Sequence, residues 1–231
     1  NVETGGGTKE RYLARLFAMR FTDHSHLAVY GNMNNLNDDR KPGENDNWSP
    51  SDLFGGLTQQ QLGGLDYNID ARSGKYKLSG NAQVRHADNT IVNNTNRTNF
   101  LANGDTYDRI VANNRNHNFT LSTDHQLYFE FKNANLNIKP HFNYQYYNNK
   151  SGYSSLTLNR SFASFSKAQL DSLYTPMIGR ELIRTAINRN LRNGLSIGHS
   201  LEGSVSMESL IKFKHSPDHI TLYADASLRH A

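Results

Sequence analysis

The chain of 231 residues has no cysteine, five prolines and one tryptophan. Without cysteine there are no disulfides, no thiolate metal sites and no thiol nucleophile. Few prolines suit long strands, because a proline cannot donate to a sheet ladder. No apolar run approaches the roughly 18 residues of a membrane-crossing helix. No signal peptide is legible at Asn1-Val2-Glu3-Thr4, which starts as if in the middle of something. Basic residues exceed acidic ones only by 25 to 21, and they are scattered. That distribution offers no basic stripe, so nucleic acid is not an expected partner.

Apolar residues are also scarce, at 36%, and mean hydropathy is −0.73. Disorder would explain this, but 12 tyrosines and 11 phenylalanines argue against it. A sheet with one entire polar face explains both facts.

Residues 65–84 show such a sheet most clearly. Leu65, Tyr67, Ile69 and Ala71 alternate with Asp66, Asn68 and Asp70. After Arg72-Ser73-Gly74-Lys75, Tyr76, Leu78, Gly80, Ala82 and Val84 alternate with Lys77, Ser79, Asn81 and Gln83. Side chains two apart share a strand face, so this is a hairpin with one apolar and one polar side. A two-residue turn at Ser73-Gly74 sets Ala71 opposite Tyr76, Ile69 opposite Leu78 and Tyr67 over Gly80. It also sets Asp70 opposite Lys77. The apolar stripe Tyr67, Ile69, Leu78, Ala82 and Val84 is expected to face lipid, and Asp70 and Lys77 a polar lumen.

Along the chain, residues 1–10 are Gly-rich and polar and predict a loop. Strands follow from Arg11 and His26, with a turn at 22–25. Further alternation runs from about Asn116 to Phe131, from Leu136 to Tyr146, from Leu195 to Met207 and from Ile220 to Leu228. Pro140 suggests a bulge or a local edge. Short connections fall near 22–25, 73–74, 132–134 and 212–218. Long polar ones fall at 35–60, 87–115 and 147–190. In the last, SKAQLDSLY and MIGRELIRTAINRNL have helical spacing, with Ile178, Leu182, Ile183, Ala186 and Ile187 on one stripe.

The expected fold is all-β: an antiparallel up-and-down transmembrane β-barrel segment of about eight strands, with short turns at one end and long loops at the other. The alternative is a soluble β-rich surface binding or adhesion module that uses the same loops.

The stretches RYLARLFAMRFTDHSHLAVYGNMNNLNDDRKPG (11–43) and GLDYNIDARSGKYKLSGNAQVRH (64–86) resemble outer-membrane β-barrel proteins of Bacteroidetes that are similar to TonB-dependent receptors. The resemblance lies in hairpin texture and in the loop entry Asn-Leu-Asn-Asp-Asp-Arg-Lys-Pro-Gly. It implies a location in the cell outer membrane and a role as a transporter or receptor in nutrient uptake. It also implies the bilayer as a partner, together with a plug domain, an energy-coupling protein and a surface lipoprotein. No plug domain or TonB box is present, and Ser227-Leu228-Arg229-His230-Ala231 lacks a final aromatic residue. The chain therefore resembles an interior piece of a larger barrel.

Candidate chemistry is sparse. Trp48, Asp38, Asp39 and Arg40 lie in the first long loop, where an exposed aromatic can stack on a ligand such as a sugar ring; loop or membrane anchoring explains Trp48 equally. The loop at 37–46 is acidic, but Pro42 stands where a calcium loop needs its turn glycine, so a solvated loop is expected. His215 and His219 are four apart in a turn rather than on a helix, which is a poor zinc signature. No Gly-x-Ser-x-Gly, nucleophile–base pair or paired carboxylates stand out, so neither an enzyme nor a cofactor nor a metal is expected.

Overall fold

The structure is a computed structural model and describes residues 1–38, 56–172, 186–214 and 218–230. Nine strands run in chain order through one sheet, β1 (Val2–Gly7), β2 (Arg11–Thr22), β3 (Ser25–Asn34), β4 (Leu57–Asp70), β5 (Tyr76–Asn99), β6 (Thr106–Phe131), β7 (Ala134–Leu158), β8 (Ala186–Lys212) and β9 (His219–His230). Each strand neighbours the next, and the order ends at β1 and β9 without joining them. The up-and-down all-β architecture thus holds. Among the described residues the strands number nine because residues 2–7, expected in a loop, form β1 and pair antiparallel with β2, Val2 opposite Leu16 and Gly7 opposite Arg11. A strand of glycines and polar residues gives no hydrophobic alternation to read.

The segment 87–115 also departs from expectation. It is not a loop: β5 continues to Asn99 and β6 begins at Thr106, leaving 100–105 as the connection. Likewise β7 continues to Leu158 and β8 begins at Ala186, so both ends of 147–190 are strand. Asn, Thr and Arg there carry no apolar period, but neighbouring backbones satisfy their hydrogen bonds regardless of side chain. Ala186, Ile187 and Leu191, expected on a helix, are in β8; Ile178, Leu182 and Ile183 lie outside the described residues. A short helix does form at Lys167–Ser172 (α1). Its capping box is Ser166 with Gln169: Gln169 N–H donates to Ser166 Oγ (3.2 Å) and Ser166 N–H to Gln169 Oε1 (2.8 Å). Pro140 lies inside β7, which has β6 and β8 as neighbours, so it marks no edge.

Two compact units divide the chain. One contains 1–88, 117–148 and 197–231; the other contains 89–116 and 149–196, the loop-side halves of β5–β8. The second unit has its own apolar cluster: Leu156 and Leu158 are buried against Tyr107, Phe162, Phe165, Leu170 and Ala186. Beside it Asp108 accepts from Thr157 Oγ1 (2.7 Å), Asn99 Nδ2 (2.8 Å) and Arg97 Nη2 (2.9 Å). Those donors hold its carboxyl below the ordinary value, Asn99 contributing most, then Thr157, with Arg97 adding charge, against the opposing effect of burial.

In the first unit the central hairpin keeps the expected register with a different turn. Gly74 N–H donates to Ala71 O (2.8 Å) and Ala71 N–H to Tyr76 O (3.0 Å), with Gly74 at φ +70. The loop therefore has four residues, Arg72–Lys75, but it stays centred between Ser73 and Gly74, so every facing pair is preserved. Gly80 is required by close approach. A Cβ there would lie 2.3 Å from His125 Nδ1 and 2.6 Å from the Asp124 carbonyl. The ring over Gly80 is thus His125 of β6, and Tyr67 reaches it through Oη, 2.9 Å from His125 Nδ1.

Candidate functional site

The pleat sorts the first unit into two faces. One carries Leu27, Val29, Met33, Leu65, Ile69, Tyr76, Val84, Val205, Met207, Ile211 and Leu222, all large, apolar and exposed. In this one-sheet structure nothing among the described residues covers them. On β5 the apolar positions run from Tyr76 to Val84 and stop at His86 and Asp88. On β6 they run from Phe131 back to Phe119, interrupted by His125 and Thr123, and stop at His117. On β7 they run from Leu136 to Tyr146 and stop at Asn148. Contacts between His86 and His117 and between His117 and Tyr146 place these stops side by side. The apolar stripe thus has a common upper limit across three strands, edged by Tyr144 and Tyr146. It spans 9 residues on β5, 13 on β6 and 11 on β7, close to the roughly 9–11 that a tilted strand needs to cross hydrocarbon.

The opposite face is polar. Asp70 and Lys77 form an ion pair there (Nζ–Oδ1 3.7 Å), with the side chains 50% and 62% exposed. At such exposure the pair contributes well under about 1 kcal/mol; its value is in marking which face is wet. Asn68, Ser79, Gln126, Tyr128 and Glu130 line a shallow groove with them. Farther along, His141 Nδ1 lies 2.6 Å from Asp124 Oδ1. This is a surface of amides, hydroxyls and charged groups, among them the pairs Asp70–Lys77 and Asp124–His141.

At the loop end of β3 the polar face is closed rather than open. Asn32, Asn34 and Gln60 are almost fully buried. The Asp38 carbonyl accepts from Asn34 Nδ2 (2.7 Å), Asn32 Nδ2 (3.4 Å) and Gln60 Nε2, and the Asp38 carboxylate pairs with Arg15. Arg15 also reaches Glu3 (3.3 Å), and Arg85 donates to Gln60 Oε1 (3.3 Å). Asp38, expected as an exposed ligand-binding residue in a solvated loop, is instead a buried anchor that ties the loop entry to β1–β5. The sequence gives no sign of this, because its partners come from strands far apart in the chain. Asp39, Arg40, Trp48 and His215 lie outside the described residues.

One constellation had no signature in the sequence. His86 and Asp88, two apart on β5, share a face with His117 of β6, and their heteroatoms converge. His86 and Asp88 lie 31 and 29 residues before His117, and only the β5–β6 pairing joins them. A His-x-Asp pair was the single local hint.

No protein-family model matches the chain, and no curated protein matches it significantly.

Proposed function

We propose that this chain is a wall segment of an outer-membrane β-barrel of the TonB-dependent transporter or receptor type, serving nutrient uptake. The carrying observation is the uncovered apolar face, whose limits align across β5, β6 and β7. Water-soluble monomers rarely leave so large an apolar surface bare. In a bilayer the same surface is solvated by lipid, and the polar face, with Asp70 and Lys77, lines the lumen. The short connections between β2 and β3, β4 and β5, β6 and β7, and β8 and β9 then lie on the periplasmic side. The loop ends lie outside, where the first long loop with Asp39, Arg40 and Trp48 meets the ligand.

Among the described residues β1 and β9 have a neighbour on one side each, which supports a larger barrel, since open sheet edges are not tolerated in hydrocarbon. Further strands complete the wall, and a plug domain and an energy-coupling protein act with it. A surface lipoprotein serves as ligand-delivering partner.

The absence of cysteine gives a clean test. Single-cysteine variants at Ile69, Val84 and Val205 are labelled with an environment-sensitive fluorophore in outer-membrane vesicles, alongside variants at Asn81, Gln83 and Ser204. The first group is expected to emit blue-shifted and to be quenched by brominated lipid, the second to respond to an aqueous quencher. Equal aqueous quenching of both groups, or release of the protein by urea washing without detergent, overturns the proposal.

A further inference from the structure

We infer that His86, Asp88 and His117 form a zinc site with one coordination position open. One ligand atom from each residue lies within 4.8 Å of the other two, with the two Asp88 oxygens facing different histidines. His86 Nε2 lies 3.4 Å from His117 Nδ1, His117 Nδ1 lies 3.0 Å from Asp88 Oδ1, and His86 Nε2 lies 3.8 Å from Asp88 Oδ2. Two donors bound to zinc at 2.0–2.1 Å and the tetrahedral angle are about 3.3 Å apart. The observed separations bracket that value, so an ion at their centre needs only small side-chain adjustments.

The geometry is also poorly served without an ion. His117 Nδ1 has one proton at most. If it goes to Asp88 at 3.0 Å, His86 Nε2 can accept only a bent share of the same proton or turn its own N–H toward Asp88 at 3.8 Å, beyond hydrogen-bond reach. Three potential ligand atoms thus converge from β5 and β6. A divalent cation satisfies all three together, binding neutral imidazoles and an ionised carboxylate.

The elements that position these groups are rigid. His86 and Asp88 project from one face of β5, and His117 stands opposite Asp88 on β6. The His86 and His117 rings meet edge to face, centroids 4.7 Å apart, and Tyr146 of β7 packs edge-on against His117 at 6.0 Å. All three ligands are about one quarter to one third exposed, so a fourth position is reachable from solvent. His86 also lines an apolar groove with Val84, Phe119, Leu16 and Met33. Two imidazoles and a carboxylate suit zinc better than hard cations such as calcium or magnesium, which want oxygen alone. Bound zinc clips β5 to β6 where the apolar face ends and offers its remaining position to water or to an incoming nitrogen, oxygen or sulfur donor. The site does not need the membrane, and it would form equally on a water-exposed sheet.

The test uses the whole protein without a histidine tag. Zinc is titrated against the chelator-treated protein with a competing metal indicator, and cobalt is substituted for its visible spectrum. One zinc per chain is expected, with the intense visible bands of tetrahedral cobalt. His86→Ala and His117→Ala each lower zinc affinity by at least about a hundredfold, more than the loss of an outer-shell partner. Asp88→Asn, which keeps the packing, does the same. His141→Ala, removing a histidine that pairs with Asp124 on the other face, leaves zinc binding unchanged. Zinc raises the thermal midpoint of the wild type and of His141→Ala but not of His86→Ala. Failure of the wild type to bind stoichiometric zinc at micromolar concentration overturns the inference. So does undiminished binding in a folded His86→Ala or Asp88→Asn variant.

Discussion

Replacing Gly80 with alanine tests how tightly β4, β5 and β6 close over one another. The added methyl would meet His125 Nδ1 at 2.3 Å, the Asp124 carbonyl oxygen at 2.6 Å and His125 Cα at 3.0 Å, where ordinary contact begins at 3.4 Å. The imidazole can swing away, but only by giving up its 2.9 Å contact with Tyr67 Oη. The carbonyl and the Cα belong to the β6 backbone and can retreat only by stretching the β5–β6 ladder. Overpacking of this kind costs about 1–3 kcal/mol. Alanine returns about 0.5–1 kcal/mol through the lower backbone entropy of its unfolded chain. The net expectation is a loss of roughly 1–2 kcal/mol.

Gly63→Ala is the matched control. Its methyl would find Val84 Cγ1 at 3.7 Å and the Tyr30 carbonyl at 4.0 Å, so it should be neutral or slightly stabilising. Adding His125→Ala to Gly80→Ala relieves the side-chain clash but not the carbonyl, and should recover only part of the loss. The assay is urea unfolding followed by far-UV circular dichroism, in one detergent or lipid for all variants, comparing midpoints at constant m. A Gly80→Ala midpoint equal to or above that of Gly63→Ala would show that the strands are not this close, and refutes the packing argument.

Two other substitutions probe the polar anchors. Asp38→Ala leaves Arg15, whose side chain is 15% exposed, with the exposed Glu3 as its remaining carboxylate partner among the described residues, and should cost about 2–3 kcal/mol in the same urea assay; a change below about 0.5 kcal/mol, the level of an ordinary surface mutation, contradicts the anchoring role. Asp108 should make the wild type pH-sensitive. Its folded pKa lies below the ordinary carboxylate value, so its stabilisation is fully present above the unfolded pKa of about 3.9 and is lost as pH falls through the folded one. Asp108→Asn should therefore unfold more easily than wild type at neutral pH, by about 1–2 kcal/mol, with the gap closing below about pH 4. A gap that persists unchanged to pH 2, on the order of two units below that midpoint, argues that the carboxylate charge contributes nothing.

The hairpin at 65–84 shows what was legible and why. Its register followed from matching apolar to apolar across Ser73-Gly74, and the Asp70–Lys77 ion pair and the Ala71–Tyr76 hydrogen bond agree with it. The turn itself was not legible, because a four-residue loop and a two-residue one with the same centre leave identical strand patterns. The continuation of β5 and β6 through 87–115 was invisible for a related reason. Residues such as Asn93, Asn94, Thr95 and Asn96 form strand through backbone pairing with neighbours, and backbone hydrogen bonds leave no trace in side-chain hydropathy.

By itself, the sequence determined an antiparallel sheet with one apolar and one polar face, because alternation with a period of two has no other economical solution. It also determined which strands form hairpins, since short turns between complementary stripes admit little else, while the order of the hairpins across long connections came from the structure. Tertiary structure decided the rest. Pairing of β2, β3 and β4 buried Asp38 beneath Arg15, Asn34 and Gln60, turning an apparent surface residue into an anchor. Pairing of β5 with β6 brought His117 onto Asp88 and His86, about thirty residues away in sequence by their numbering. Register determines which distant side chains meet, and a single strand's hydropathy pattern does not record it.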